Sequence, residues 1–144
     1  MNSAQLSFDE MGLPTAATNF DLTNACLGFV TGLALAASMI AAGQAAYAGI
    51  VAGEDSGKVQ QATLQNLKDG SVDRGSFMEQ FASLTLGSGA SAAVVGRTDL
   101  HPEGHRIVRG ITRAGTDHHD LCVGDHKGMF PDSTALLNDG LELV

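Results

Sequence analysis

The chain has 144 residues, enough for one ordinary domain with a core, and 44% of them are hydrophobic. Its formal net charge is −8, with no Lys/Arg cluster to offset the field, which argues against nucleic acid as a partner. Two distant cysteines without CxxC spacing exclude a secreted disulfide framework and point to a reducing, cytoplasmic setting.

The opening MNSAQLSFDE is acidic and lacks the basic and apolar regions of a signal peptide. Residues 4–11 read as the tail of a helix that Gly12 ends as a C′ residue and Pro14 keeps from continuing. Residues 19–25 read as a short strand. Residues 27–42 have the length, the Ala/Leu/Met content and the Gly43 stop of a buried helix. Residues 47–52 (YAGIVA) read as a short apolar strand, buried on both faces if parallel. Strand, helix and strand together imply a βαβ unit with a right-handed crossover. Residues 27–53 carry no charge over a length that could span a bilayer. Their Ala/Gly content and the Gly43-Gln44 break favour two buried elements instead, so no membrane association is expected.

Residues 54–75 are polar and read as an excursion loop with one helical turn around 59–67. Residues 76–84 are a short amphipathic helix candidate. The stretch LGSGASAAVVGR is a glycine turn entering a strand at 90–96. HRIVRGITRAG alternates charged and apolar residues in part and reads as another strand. LCVGDHKGMFPD reads as loop, and residues 133–143 as a helix with Asp132 or Ser133 as N-cap.

Cys26 sits where a strand turns into a helix. In α/β proteins that junction lies at the carboxyl edge of the sheet, where chemistry is done. A helix N-terminus offers unpaired N–H groups and a positive dipole end, which favour a thiolate and can hold an oxyanion. The flanking Ala25 and Gly28 are small enough to let a substrate approach. The alternative is a buried, inert cysteine. His118, His119, Cys122 and His126 do not have the spacing of a recognised zinc module, and His101 and His105 flank Pro102 and Gly104, so no metal is expected. GSGASA, from Gly87, follows a helix and opens a strand, the reverse of a dinucleotide fingerprint. Tight-turn and close-packing glycines are the better reading.

Two stretches carry a family resemblance. FDLTNACLGFVTGLALAASMIAAGQAAYAGIVAGEDS resembles the active-cysteine segment of thiolase-fold condensing enzymes of the β-ketoacyl-acyl-carrier-protein synthase III type. LTLGSGASAAVVGR resembles that family's Gly-rich turn, commonly G-[DS]-G-A-x-A-A. The resemblance implies an α/β fold, the thiolase-like layered αβαβα architecture, here only part of it: a mixed sheet with a buried helix after the active cysteine. Residues 1–98 would be the remainder of the N-terminal half, and 99–144 the start of a truncated C-terminal half.

The resemblance also implies a Claisen condensation of acyl thioesters through a Cys26 acyl-enzyme, in fatty acid or lipid biosynthesis. Leu86 and Ser56 match positions that line the family's acyl tunnel. Acyl-CoA, with acyl carrier protein as a further candidate, would be the partner; a homodimer is implied, and no metal or redox cofactor is needed. The excursion 56–75 and the segment TDHHDLC from Thr116 look more like the head-to-head condensing enzymes of olefin synthesis. The family's catalytic His and Asn would fall downstream of Val144, and the olefin subfamily's glutamate base upstream of Met1. An internal fragment, inactive alone, is therefore expected. Two readings of another class stand beside it: a non-catalytic remnant that binds acyl groups or pairs with an intact subunit, and a cysteine hydrolase of unrelated fold, which would need a general base near Cys26.

Overall fold

The computed structural model describes residues 3–70, 73–125 and 128–143. Five α-helices and four strands follow one another as α1 (Ser3–Glu10), α2 (Gly28–Ala41), β1 (Tyr47–Glu54), α3 (Gly57–Lys68), α4 (Arg74–Thr85), β2 (Gly89–Gly96), β3 (Cys122–Asp125), β4 (Gly128–Pro131) and α5 (Ser133–Glu142). Short 3₁₀ turns occupy Ala25–Leu27 and Thr116–His118. The strands form two two-stranded sheets, β1 with β2 and β3 with β4. The chain divides into two compact units, Met1–Ala52 with Ser91–Val108, and Gly53–Ala90 with Arg109–Val144.

In the first unit, α1 and α2 end in the same way. The Gly12 amide donates to the Asp9 carbonyl and Leu13 to Phe8; Gly43 donates to Ile40 and Gln44 to Met39. Both glycines have positive φ, +62° and +72°. These are Schellman closures, and only glycine takes that conformation freely. Asp21 reaches back to the start of α1, its carboxylate accepting the amides of Ser3 (3.1 Å) and Ala4 (2.8 Å). Helix α2 packs where its side chains vanish: Gly32 and Ala36 are its buried residues. A Cβ on Gly32 would meet Ile50 Cγ2 of β1 at 2.8 Å.

The strand expected at 19–25 is absent. No ladder forms there, and the segment runs irregularly into the 3₁₀ turn. The βαβ unit therefore reduces to its helix and second strand. That strand is not buried on both faces. The Arg97 amide donates to the Ala46 carbonyl at 3.1 Å, which sets the start of β1 beside the end of β2 and makes the pair antiparallel. Partial burial alternates along β1 accordingly. The strand expected in HRIVRGITRAG is also missing, and its apolar residues lie open, Val108 90% exposed and Ile111 76%. Both misreadings share one cause: a strand-like stretch marks a chain able to join a sheet, and no neighbouring strand pairs with either segment among the described residues.

The second unit holds two elements read as loop. Helix α3 spans twelve residues of the excursion, because GKVQQATLQNLK is rich in helix formers. LCVGDHKGMFPD is a hairpin with Cys122 opposite Pro131 and Asp125 opposite Gly128. His126 lies outside the described residues. Helix α4 touches α3, β4 and α5, so it is the centre of this unit. Its N-cap Asp73 accepts the Ser76 amide at 2.8 Å, and Asp132 accepts the Ala135 amide at 3.0 Å at the start of α5.

Gly32→Ala is predicted to destabilise the chain. Overpacking costs about 1–3 kcal/mol and exceeds the roughly 1 kcal/mol gained in helix propensity, because the β-branched Ile50 has little room to turn. Urea unfolding checks the sign. The start of α4 also has a pH signature. The Ser76 amide, and then its hydroxyl, hold the Asp73 carboxyl below the ordinary aspartate value. A lowered folded-state value adds stability that is present above the unfolded value and is lost as pH falls through the folded one. Acid unfolding of Asp73→Asn should therefore lack part of the wild-type loss in that window.

Candidate active site

Cys26 lies in the first unit, in the middle residue of the 3₁₀ turn that leads directly into α2, and it is exposed. The sequence placed it at the junction directly before the helix, and the structure puts it there, on a backbone corner. Ala25 is the one non-glycine with positive φ among the described residues, at +39°. An L-residue there costs about 1–2 kcal/mol relative to its usual conformations. Gly28 opens α2, and a Cβ there would meet the Leu22 carbonyl oxygen at 3.8 Å, an ordinary contact.

The hydrogen bonds around the corner are specific. The Leu27 amide donates to the Asn24 carbonyl at 2.9 Å, and the Gly28 amide to the Ala25 carbonyl. The Asn24 side-chain amide donates to Thr31 Oγ1 of α2 at 2.8 Å. Among the described residues, no hydrogen bond engages the Cys26 amide. An exposed thiol with a free N–H on its own residue is the pairing that acyl transfer to a nucleophile uses: one atom attacks, the other receives the oxyanion. Sequence reading found Cys26; it missed Asn24 and Thr31, whose spacing of seven residues gives no sign of a contact.

Ser56 and Leu86 lie in the second unit and touch each other. Ser56 Oγ donates to the Leu86 carbonyl at 3.3 Å, and lies 3.2 Å from Ser88 Oγ. The Ser56 amide donates to Ser88 Oγ at 3.1 Å, and the Gln60 side chain donates to the same Leu86 carbonyl. Ser56 is buried at 3% exposure. These bonds clamp the end of α4 and the Gly-rich turn to the start of α3. A second buried bond, Thr63 Oγ1 to Ser83 Oγ at 2.8 Å, continues the seam between α3 and α4. The turn follows a helix and opens β2, as read. Its glycines do not pack closely, however: a Cβ on Gly87 or Gly89 would meet nothing within 4 Å, and neither has positive φ. The turn is held by Ser88, not by its glycines.

The histidines go elsewhere. His101 Nε2 lies 3.0 Å from the Tyr47 hydroxyl in the first unit. In the second, His118 Nδ1 pairs with Asp139 at 3.0 Å beside a cavity of about 170 Å³ lined by Leu121, Leu136 and Leu143. Among the described residues, no three His, Cys, Asp or Glu side chains could hold a metal ion, and no helix is long and apolar enough to cross a membrane.

A cysteine corner opening a small-residue helix, with a Gly-rich turn entering a strand, defines the scaffold of the thiolase-fold condensing enzymes, an acyltransferase class. The profile of 3-oxoacyl-[acyl-carrier-protein] synthase III matches residues 20–115, and the chain belongs to that family. It is 35% identical over 143 residues to an acyl-CoA:acyl-CoA alkyltransferase of Xanthomonas campestris, which covers 99% of this chain and 42% of the relative. Its fold superposes on a glutamate-to-alanine variant of Xanthomonas campestris OleA with a TM-score of 0.91, at 35% identity, over 99% of this chain and 42% of that one. A cysteine-to-serine variant of the same protein, with bound lauric acid and lauroyl-CoA, superposes with a TM-score of 0.89 at 34% identity, over 96% of this chain and 41% of that one. The chain thus spans about 42% of the length of the relatives it matches.

Ser56→Ala should free the turn without unfolding the unit. It removes the hydroxyl's bonds to the Leu86 carbonyl and to Ser88 Oγ, neutral hydrogen bonds worth about 1 kcal/mol each, and leaves Gln60 on the Leu86 carbonyl and the residue-56 amide on Ser88. Amide exchange across residues 86–89 is expected to accelerate while α5 keeps its protection. Equal acceleration in both would show that Ser56 supports the whole unit rather than the turn.

Proposed function

We propose that this chain carries the acyl-accepting half of a carbon–carbon condensing enzyme, with Cys26 as the nucleophile. The Cys26 thiolate attacks the thioester carbonyl of an acyl-CoA. The oxygen becomes an oxyanion that the Cys26 amide can receive, and the tetrahedral intermediate collapses with loss of the CoA thiolate, which takes up a proton. In the condensation that follows, the enolate carbon of a second acyl thioester attacks the acyl-enzyme, a C–C bond forms and the cysteine is released. The single observation that carries this reading is an exposed thiol on a strained corner, whose own amide has no acceptor among the described residues.

A head-to-head joining of two acyl-CoA molecules is the reading preferred over condensation with a malonyl carrier protein. The support is the alkyltransferase named among the relatives and the lauroyl-CoA bound to one of them. Ser56 and Leu86 serve in this reading as part of the acyl-tunnel wall, with Leu86 offering its side chain while its carbonyl is held by Ser56 and Gln60. Residues 1–98 are read as belonging to the N-terminal thiolase-like half and 99–144 to the C-terminal one. The reaction needs acyl thioesters and no metal or redox group, and a cytoplasmic location fits the two free cysteines.

In this reading the donors that stabilise the second substrate's enolate are the family's His and Asn, and none of the five histidines here is assigned that role. Losing one preorganised donor costs about 10²–10³ in rate. The 144-residue chain alone is therefore predicted to form an acyl adduct on the Cys26 peptide with lauroyl-CoA, lost in Cys26→Ala, and to make no β-keto product. Mass spectrometry reads both. Steady keto product from this chain would place a catalytic base among His101, His105, His118, His119 or His126.

Open apolar surface favours a second role beside this one, pairing with another copy. Val94 is 79% exposed and Val108 90%, on β2 and on the unpaired segment after it. Such surface is normally covered. Sedimentation at micromolar concentration should show dimers or larger species, and a clean monomer contradicts the pairing.

A further inference from the structure

We propose that Asn24 and Thr31 are positioning residues for Cys26, an inference that rests on reading Cys26 as the acyl acceptor. Ala25 stands in a conformation that an alanine leaves unless its surroundings impose it. The ties lie on both sides of the corner. Upstream, Asp21 is fixed to the first amides of α1. Downstream, the chain is already α2. Across the gap runs one side-chain bond, from the Asn24 amide group to Thr31 Oγ1 at 2.8 Å.

Two features distinguish this bond from a helix cap. Asn24 occupies the N-cap position of the 3₁₀ turn but makes no side-chain capping bond there. Its side chain passes the turn and reaches the first turn of α2. Thr31 in turn offers to Asn24 a hydroxyl that helical threonines commonly aim at their own backbone. Asn24 therefore spans Cys26 twice, through its carbonyl to the Leu27 amide and through its side chain to Thr31. That double span fixes the corner, and with it the direction of the Cys26 thiol relative to its own amide. An acyl carbonyl must meet both atoms at once, so a small tilt of the corner is felt in acyl transfer.

The test uses the 144-residue chain and two conservative pairs. Thr31→Val keeps the shape and removes the acceptor; Thr31→Ser keeps the hydroxyl. Asn24→Ala removes the side-chain bond; Asn24→Asp can accept the Thr31 hydroxyl proton and restore it. Three quantities are measured: Leu27 amide exchange, the rate of Cys26 acylation by lauroyl-CoA, and the thermal midpoint. Thr31→Val and Asn24→Ala should speed Leu27 exchange and slow acylation, each by roughly 10-fold or more. Thr31→Ser and Asn24→Asp should stay near wild type. A merely structural tie would lower the thermal midpoint and leave acylation per folded molecule unchanged, which overturns the proposal. Wild-type exchange in Thr31→Val overturns it too, as does a Thr31→Ser that fails like Thr31→Val. Should Thr31→Val not fold, the Asn24 pair decides by the same criteria. A wild-type chain that takes no acyl group refutes the nucleophile reading, while the exchange rates still decide whether the tie holds the corner.

Discussion

The backbone corner at Ala25 is the constraint on which the first unit depends. The chain must leave residues 20–24 and enter α2 without a loop, and it does so through one residue at φ +39°. Everything near it serves that turn. Asp21 anchors the approach to α1, Asn24 bridges to Thr31, and Gly32 lets α2 lie against Ile50 of β1, with Leu22 Cδ1 at 3.6 Å from where a Cβ on Gly32 would stand. Replace the corner by a relaxed loop and the cysteine loses its fixed place before a helix N-terminus. Strain that persists in a fold is usually over-determined by its surroundings, and here the determining contacts can be named.

The second unit uses a different device. Its interior carries hydroxyls where apolar side chains are more usual: Ser56, Thr63 and Ser83 are buried at 3%, 4% and 0% exposure. Paired hydroxyls avoid the penalty of an unsatisfied buried group while keeping two helices at short separation. The seam gives α3 and α4 one fixed register and holds the turn between α4 and β2 at Ser88. A seam built this way resists movement better than one built from flexible apolar side chains.

Much of this was legible in the sequence, and the failures have physical reasons. Gly12 and Gly43 announced the ends of α1 and α2, because a Schellman closure needs glycine. The Ala/Leu/Met run gave α2, and Asp132 gave the cap of α5. Residues 19–25 and 105–115 misled because a strand-like stretch reports a local tendency and not a neighbour. The hairpin at Cys122–Pro131 hid behind its glycines and histidines, which look like loop composition until β3 finds β4. At the candidate site, the place of Cys26 directly before α2 was legible from the sequence. The roles of Asn24 and Ser88 were not, since both depend on side-chain bonds that no spacing rule predicts.

The claim that Cys26 accepts the acyl group is tested most directly by protection. The chain is incubated with a long-chain acyl-CoA, then alkylated, and both cysteine peptides are quantified. Both thiols are exposed, so Cys122 is an internal control on the same molecule. Loss of alkylation at Cys26 alone, restored by hydroxylamine cleavage of the thioester, is the predicted result. Unprotected Cys26, or equal protection of Cys122, would contradict the account.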